Sequence, residues 1–223
     1  MIIKAFEINK IKINNYKLYL LYGENEGYKN ETIKKYFEKV YLNQTFRYEE
    51  KEILENKNNF YNSILSRSFF ENEKLIIISR VTDKIKDIIE EISAKQIDDV
   101  IIVLSSGILE KKSKIRNFFE KEKNTVCIPF YNDNNITLSN IASIFFKKNK
   151  IPISQQTINL IIERCRGNRE NLNNELIKIE NYCKFGKKIS SEDIFKITNL
   201  AENYNVSELI DNCLLKNEKK IVR

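Results

Sequence analysis

The stretch LYLLYGENEGYKNETIKKYF, residues 18–37, decides how this chain is read. An apolar run at 18–22 meets Gly23, and Gly27 and Lys29 follow before a helix-like segment. That is the outline of a strand, a phosphate-cradling turn and a helix. A working loop of this kind reads G-x-x-x-x-G-K-[ST]: backbone N–H groups wrap the phosphates, the lysine neutralises them and the hydroxyl holds the metal. Here Gly23 and Gly27 stand one position too close, Tyr28 follows the second glycine, and Lys29 precedes Asn30 in place of serine or threonine. Glu24 and Glu26 put negative charge where phosphates would sit. The plainer reading of Gly23 and Gly27 is that they only permit a tight strand-to-helix turn.

A second requirement for hydrolysis is an acidic residue ending a buried strand, to hold the metal. The buried run at 100–104 ends in Ser105, Ser106 and Gly107, and the acidic pair Asp98 and Asp99 lies at its other end. The chain has no histidine, so no imidazole base is at hand. No catalytic residue and no bound cofactor are expected. The chain keeps the outline of a P-loop domain without its chemistry, which points to a partner-binding role.

Working outward, residues 1–133 alternate strand-like and helix-like segments. Strands are predicted at 2–8, 18–22, 45–48, 74–79, 100–104 and 125–130. Helices are predicted at 31–42, 58–66, 84–92 and 111–119. In the first of these helices Ile33, Tyr36, Phe37 and Val40 share a face. Near-continuous apolar strands between amphipathic helices imply a parallel sheet covered on both sides. The pattern changes at the polar linker YNDNN, residues 131–135. Beyond it everything reads as helix. Leu138, Ile141, Ile144 and Phe145 form one apolar face, Ile158, Ile161, Ile162 and Cys165 the next, and Leu172, Leu176, Ile179 and Cys183 a third. Gly167 and Gly186 are natural helix stops, and Ser190 with Asp193 resembles a capping pair for a helix over 194–200. Residues 206–223 begin one more amphipathic helix with nothing after it to bury its face, so a fragment cut early in a third domain is expected.

Composition bounds the partners. With 223 residues, 42% of them hydrophobic, the chain suits two compact domains. The seven glycines and prolines exclude low-complexity and collagen-like classes. No apolar run is long enough to span a membrane, and the charged N-terminus is not a secretory signal. Cys127, Cys165, Cys183 and Cys213 are 38, 18 and 30 positions apart, too far for a zinc motif, so no metal is expected. They read as reduced, mostly buried thiols of a cytoplasmic protein. The net charge of +7 gives weak support for a polyanionic partner, because lysine, asparagine and isoleucine are abundant throughout. Lys111, Lys112, Lys114 and Arg116 cluster, as do Lys147, Lys148 and Lys150. Both clusters fit phosphate contacts, and both fit solvated helix faces.

Four stretches carry a family resemblance: LLYGENEGYKNE, SRSFFENEKLIII, SKIRNFFEK with CIPFY, and GNRENLNNELIKIENYC. In this order and spacing they resemble the delta subunit family of the bacterial DNA polymerase III clamp loader, along essentially the whole chain. The resemblance implies an AAA+-like architecture: an α/β domain at 1–133 with a degenerate P-loop, a helical lid at 134–201, and the incomplete start of a helical collar at 202–223. It implies a subunit that hydrolyses no ATP itself, binds and opens the ring-shaped sliding clamp (the beta subunit), and works with delta-prime and tau/gamma subunits on primed DNA. As a holoenzyme component it would be grouped with DNA-directed DNA polymerase, a nucleotidyltransferase. The clamp contact carried over is Ser68-Phe69-Phe70, with Phe69 where the family more often has leucine. Adjacent aromatics cannot both face inward, and exposed aromatics are usual interface anchors. Two rival readings are a divergent P-loop NTPase using Lys29 and a stand-alone DNA-binding protein.

Overall fold

The apolar runs of the α/β segment line up side by side in one parallel sheet. The computed structural model describes residues 1–41, 44–65, 74–95, 99–184, 189–198 and 213–214. The strands are β1 (Leu18–Gly23), β2 (Thr45–Glu49), β3 (Lys74–Ser79), β4 (Val100–Ser106) and β5 (Thr125–Phe130), in the order β2-β3-β4-β1-β5. β4 is central, and β1 lies between β4 and β5, with Leu20 beside Leu104 of β4 and Cys127 of β5. Helices α1 (Glu26–Thr32), α2 (Glu50–Glu55), α3 (Lys57–Leu65), α4 (Lys86–Ala94) and α5 (Lys114–Lys121) connect the strands. Strand alternation divides the core in two. Leu18, Leu20, Tyr22, Ile76, Ile78, Ile102 and Leu104 pack with Ile53, Phe60, Ile88, Ile89 and Phe119 on one face. Tyr19, Leu21, Ile77, Val103 and Ile128 pack with Ile33, Phe37 and the N-terminal Ile3, Ala5 and Ile8 on the other. Each large apolar side chain among these contributes about 1.5–3 kcal/mol by leaving water, which is why a run apolar at every position, such as residues 100–104 of β4, is stable only in the middle of the sheet.

Three expectations about this unit need correction. Residues 2–8 are not a strand: Ile2 makes one bridge to Cys127, and Ala5–Lys10 then winds as a 3₁₀ helix. The spacing of Ile3, Ala5 and Ile8 lays that turn over the sheet face, while Phe6 is left exposed. The first helix starts at Glu26 and not at 31, and continues as a π-helical turn over Ile33–Glu38 that leaves Val40 in solvent. The third correction is at α5, which starts at Lys114 and not at 111, because the Ser113 hydroxyl caps it by accepting from the Arg116 amide. Of the cysteines, all free, Cys127 and Cys165 are buried, Cys183 half-buried and Cys213 exposed.

The chain divides into two compact units: Met1–Asp133 with Asn168–Glu170, and Asn134–Gly167 with Asn171 onward. The second contains α6 (Asn135–Lys148), α7 (Gln155–Arg164), most of α8 (Arg169–Cys183) and α9 (Ser191–Ile197). Its core joins Leu138, Ala142 and Phe146 to Ile158, Ile161, Ile162, Cys165, Leu172, Leu176, Ile179 and Ile194. The stripe on α6 is therefore Leu138-Ala142-Phe146, and Ile144, expected inside, is exposed. Gly167 takes a left-handed φ of 74° after α7, and Ser190 with Asp193 closes the expected capping box at α9. Among the described residues no helix is long and apolar enough to cross a membrane.

Candidate functional site: the glycine turn at the sheet edge

The carboxyl edge of a parallel sheet is where α/β folds place ligands. Here that edge is built by the turns after β1, β3 and β4. Between β1 and α1 only Glu24 and Asn25 intervene, which is too short a turn to wrap a phosphate. Asn25, almost fully buried, caps α1: its Oδ1 accepts from the Tyr28 amide at 3.0 Å. Its Nδ2 donates to Asp133 Oδ2 at 2.8 Å and to the Tyr131 carbonyl at 3.0 Å. An amide that anchors the turn on both sides leaves the amino end of α1 already partnered.

Lys29 is the centre of the turn. Its side chain is wholly buried, and Nζ donates to the Gly23 carbonyl at 2.9 Å, the Ser106 carbonyl at 2.5 Å and Glu26 Oε1 at 2.6 Å. An ammonium has three N–H groups, and all three are satisfied inside the protein. The lysine that would meet a phosphate instead ties the ends of β1 and β4 together. The two glutamates serve the same closure: Glu26 balances Lys29, and Glu24 accepts a short hydrogen bond from the Asn132 side-chain amide.

Gly23 also has a structural role. Its φ is 129°, and a Cβ placed there would lie 2.1 Å from the Phe130 carbonyl oxygen. Gly27 is inside α1, and a Cβ on it would lie 2.7 Å from the Glu170 amide nitrogen. Both glycines are therefore required by close backbone approach within the α/β unit.

Asn168–Glu170 belong to this unit, and Arg169 fills the space beside α1. The guanidinium lies 3.8 Å from the centre of the Tyr28 ring, donates from Nε to Glu31 at 3.0 Å and pairs with Asp133 at 3.3 Å. Burial pushes the Tyr28 phenol up from its ordinary value, and the adjacent guanidinium opposes that shift. The positive charge of this arginine is met by two carboxylates of the same chain. On the other side of β1, Arg116 stacks on Tyr22, with 5.0 Å to the ring centre, and bonds Glu120 at 2.7 Å and the Leu109 carbonyl at 3.0 Å. Burial drives the Tyr22 phenol up to about 12.

Neither β4, which pairs with β1, nor β3, which pairs with β4, ends in a carboxylate along this edge. β4 finishes at Ser105 and Ser106, as expected, and β3 at Ser79, followed by Arg80. Among the described residues no group of three or more metal-ligating side chains is assembled. The turn residues Gly23, Gly27 and Lys29 thus come together, but around one another and not around an open cradle. Ser68, Phe69 and Phe70 lie outside the described residues. Sequence reading missed Arg169, Asp133 and Asn25. One signal was present: an arginine in the first turn of a helix opposes the helix dipole, so its presence there calls for a specific anionic partner.

Scans of protein-family models and of curated proteins give no match. Solved structures do. The chain is similar to the Bacillus subtilis DNA clamp loader delta protein YqeN, with a TM-score of 0.55 and 14% identity, over 93% of this chain and 65% of that one. It is similar to domain III of the Thermotoga maritima replication initiation protein DnaA, with a TM-score of 0.51 and 14% identity, over 87% and 88%. It is also similar to Thermotoga maritima RuvB, with a TM-score of 0.56 and 13% identity, over 92% and 69%. The shared feature is the fold: this chain is an AAA+-like α/β domain followed by helices, with a closed glycine turn at the edge of its sheet.

Proposed function

We propose that the chain is a non-hydrolysing, delta-like subunit of a bacterial clamp loader. The observation that carries this reading is Lys29: its ammonium is fully engaged by Gly23, Ser106 and Glu26, in an AAA+-like fold whose neighbouring strand ends supply no carboxylate. Such a domain retains a shape and surfaces for partners and has no means to activate a phosphoanhydride. The likeness to a clamp loader delta protein and the ordered motifs LLYGENEGYKNE, SRSFFENEKLIII and GNRENL support the same assignment. In this reading residues 1–133 carry the clamp contact, 134–201 form a lid and 202–223 open a collar. The chain acts in the cytoplasm with delta-prime and tau/gamma partners, and Ser68-Phe69-Phe70 enters a pocket of the sliding clamp. Clamp opening on primed DNA is then coupled to ATP hydrolysis by other subunits.

The test is a calorimetric titration of the chain against the sliding clamp of the same source, beside a Phe69→Ala/Phe70→Ala variant. Saturable binding is expected, and the variant is expected to weaken it by about thirty-fold or more, as hot-spot aromatics do at about 2 kcal/mol or above. A folded chain that does not bind the clamp overturns the assignment. Equal binding by the variant moves the contact elsewhere.

A further inference from the structure

Tyr22, near the end of β1, packs on the core face that α5 covers and is only 7% exposed. Its hydroxyl nevertheless makes no hydrogen bond among the described residues. Hydroxyls this deep are usually partnered, because leaving one unpaired is costly. The residue lines a pocket of about 320 Å³, together with Ile108 and Leu109 after β4, Arg116 of α5, and Pro129 and Tyr131 at the end of β5. That volume lies at the lower end of the range for small-molecule sites. Because burial holds the phenol up at about 12, it keeps its proton and remains a donor.

Arg116 brings a second donor to the same place. Its Nε donates to Glu120 at 2.7 Å and its Nη1 to the Leu109 carbonyl at 3.0 Å, whereas Nη2 makes no hydrogen bond among the described residues. Stacking on the Tyr22 ring keeps the guanidinium beside the phenol, and the arginine side chain is 20% exposed. Of the nearby acids, Glu120 is engaged by the guanidinium, and Glu24, which lines the pocket, accepts from the Asn132 side-chain amide. Two donors lacking an acceptor in the chain call for an oxygen from outside, and guanidinium N–H groups match a carboxylate. The other walls are apolar. Ile108 and Tyr131 are 67% and 79% exposed, and a ligand in the pocket would cover part of both. Apolar walls with a few convergent polar groups suit a small organic molecule, whereas an inorganic anion would leave those walls wet.

We infer that the pocket between the ends of β1 and β5 and the turn after β4 binds a small organic carboxylate with a flat apolar body. The carboxylate sits on Tyr22 and Arg116, and the body lies against Ile108 and Tyr131. The inference does not depend on clamp binding, and Ser68-Phe69-Phe70 take no part in it.

The test uses benzoate as the probe, titrated into the full chain with ¹³C-labelled tyrosine rings and followed by NMR. The signals of Tyr22 and Tyr131 are assigned by Tyr22→Phe and Tyr131→Phe. Saturable shifts of both are expected at millimolar benzoate. Tyr22→Phe removes only a hydroxyl without a partner in the chain, so its unfolding midpoint should be unchanged or higher. Its affinity for benzoate, read from the Tyr131 signal, is expected to fall by about ten-fold, as the loss of a hydrogen bond to a charged group predicts. Benzylammonium has the ring with the opposite charge, and inorganic phosphate has the charge without the ring. Neither is expected to shift the two signals. The proposal is overturned if benzoate shows no saturable shift by about 20 mM, well above a millimolar dissociation constant, or if Tyr22→Phe binds it equally well. It is also overturned if benzylammonium or phosphate is as effective as benzoate. A lowered midpoint in Tyr22→Phe would show that the hydroxyl already has a partner in the chain, and would overturn it as well.

Discussion

Replacing Lys29 by methionine will destabilise the α/β unit by about 2–5 kcal/mol. The estimate follows from what the ammonium leaves behind. Methionine keeps most of the stem's volume, so packing changes little. The Gly23 and Ser106 carbonyls lose their donor where the side chain is wholly buried, and an unsatisfied buried acceptor costs about 1–3 kcal/mol. The ion pair with Glu26 adds little to the sum, because that carboxylate is 58% exposed and is solvated once released. Urea unfolding of the full chain measures the loss. A loss below about 1 kcal/mol would mean that water replaces the ammonium without penalty, and the lysine would then not be a structural tie. The same protein decides the nucleotide question. Magnesium ATP is expected to leave the melting temperature of the wild-type chain unchanged, since a ligand raises stability only by binding the native state. A saturable rise that Lys29→Met abolishes would favour the P-loop NTPase reading over the clamp-loader one.

Lys29 also illustrates what could and could not be read in advance. The departures from G-x-x-x-x-G-K-[ST] and the serine-terminated strand are matters of residue identity, so they were legible. Where the lysine goes is not, because two of its three acceptors are backbone carbonyls, one of them 77 positions away. The same holds for Arg169, whose partners Asp133 and Glu31 lie 36 and 138 positions from it. Strands β3, β4 and β5 were legible because a strand covered on both faces is apolar at nearly every position. Residues 2–8 were misread because Ile3, Ala5 and Ile8 satisfy both a short strand and a turn lying over the sheet. The phase of α6 was misread because bulk was preferred over periodicity: Ile144 looked like core, whereas Ala142 is the residue between Leu138 and Phe146 on the buried stripe. The left end of the first helix was placed too late because Gly27 was taken as loop. In the fold it is a helical residue kept small by the backbone of Glu170.

The glycines separate the two explanations of the turn most sharply. If Gly23 served only to let a phosphate approach, alanine there would be tolerated by a chain that holds no nucleotide. The geometry says otherwise. A Cβ at Gly23 would lie 2.1 Å from the Phe130 carbonyl oxygen, with further contacts at 2.9 and 3.1 Å to the same residue's backbone. The obstacle is a strand of the sheet itself, which cannot move aside without breaking the pairing of β1 with β5. The backbone φ of 129° adds strain for any residue with a side chain. Gly23→Ala is therefore expected to cost about 4 kcal/mol or more, in the range reserved for such backbone conflicts, and much of the variant will be unfolded or insoluble. Gly107→Ala is the internal control for the same edge. A Cβ there meets nothing within 4 Å, and the residue does not occupy the left-handed region. It should be neutral, or stabilising by about 0.4–1 kcal/mol through the unfolded chain. Unfolding midpoints for the two variants, with the soluble yield of the first, make the comparison. If Gly23→Ala unfolds within about 1 kcal/mol of the wild-type chain, well short of a backbone conflict, the close approach of β1 to β5 is not what retains this glycine. A ligand at the turn would then have to be sought.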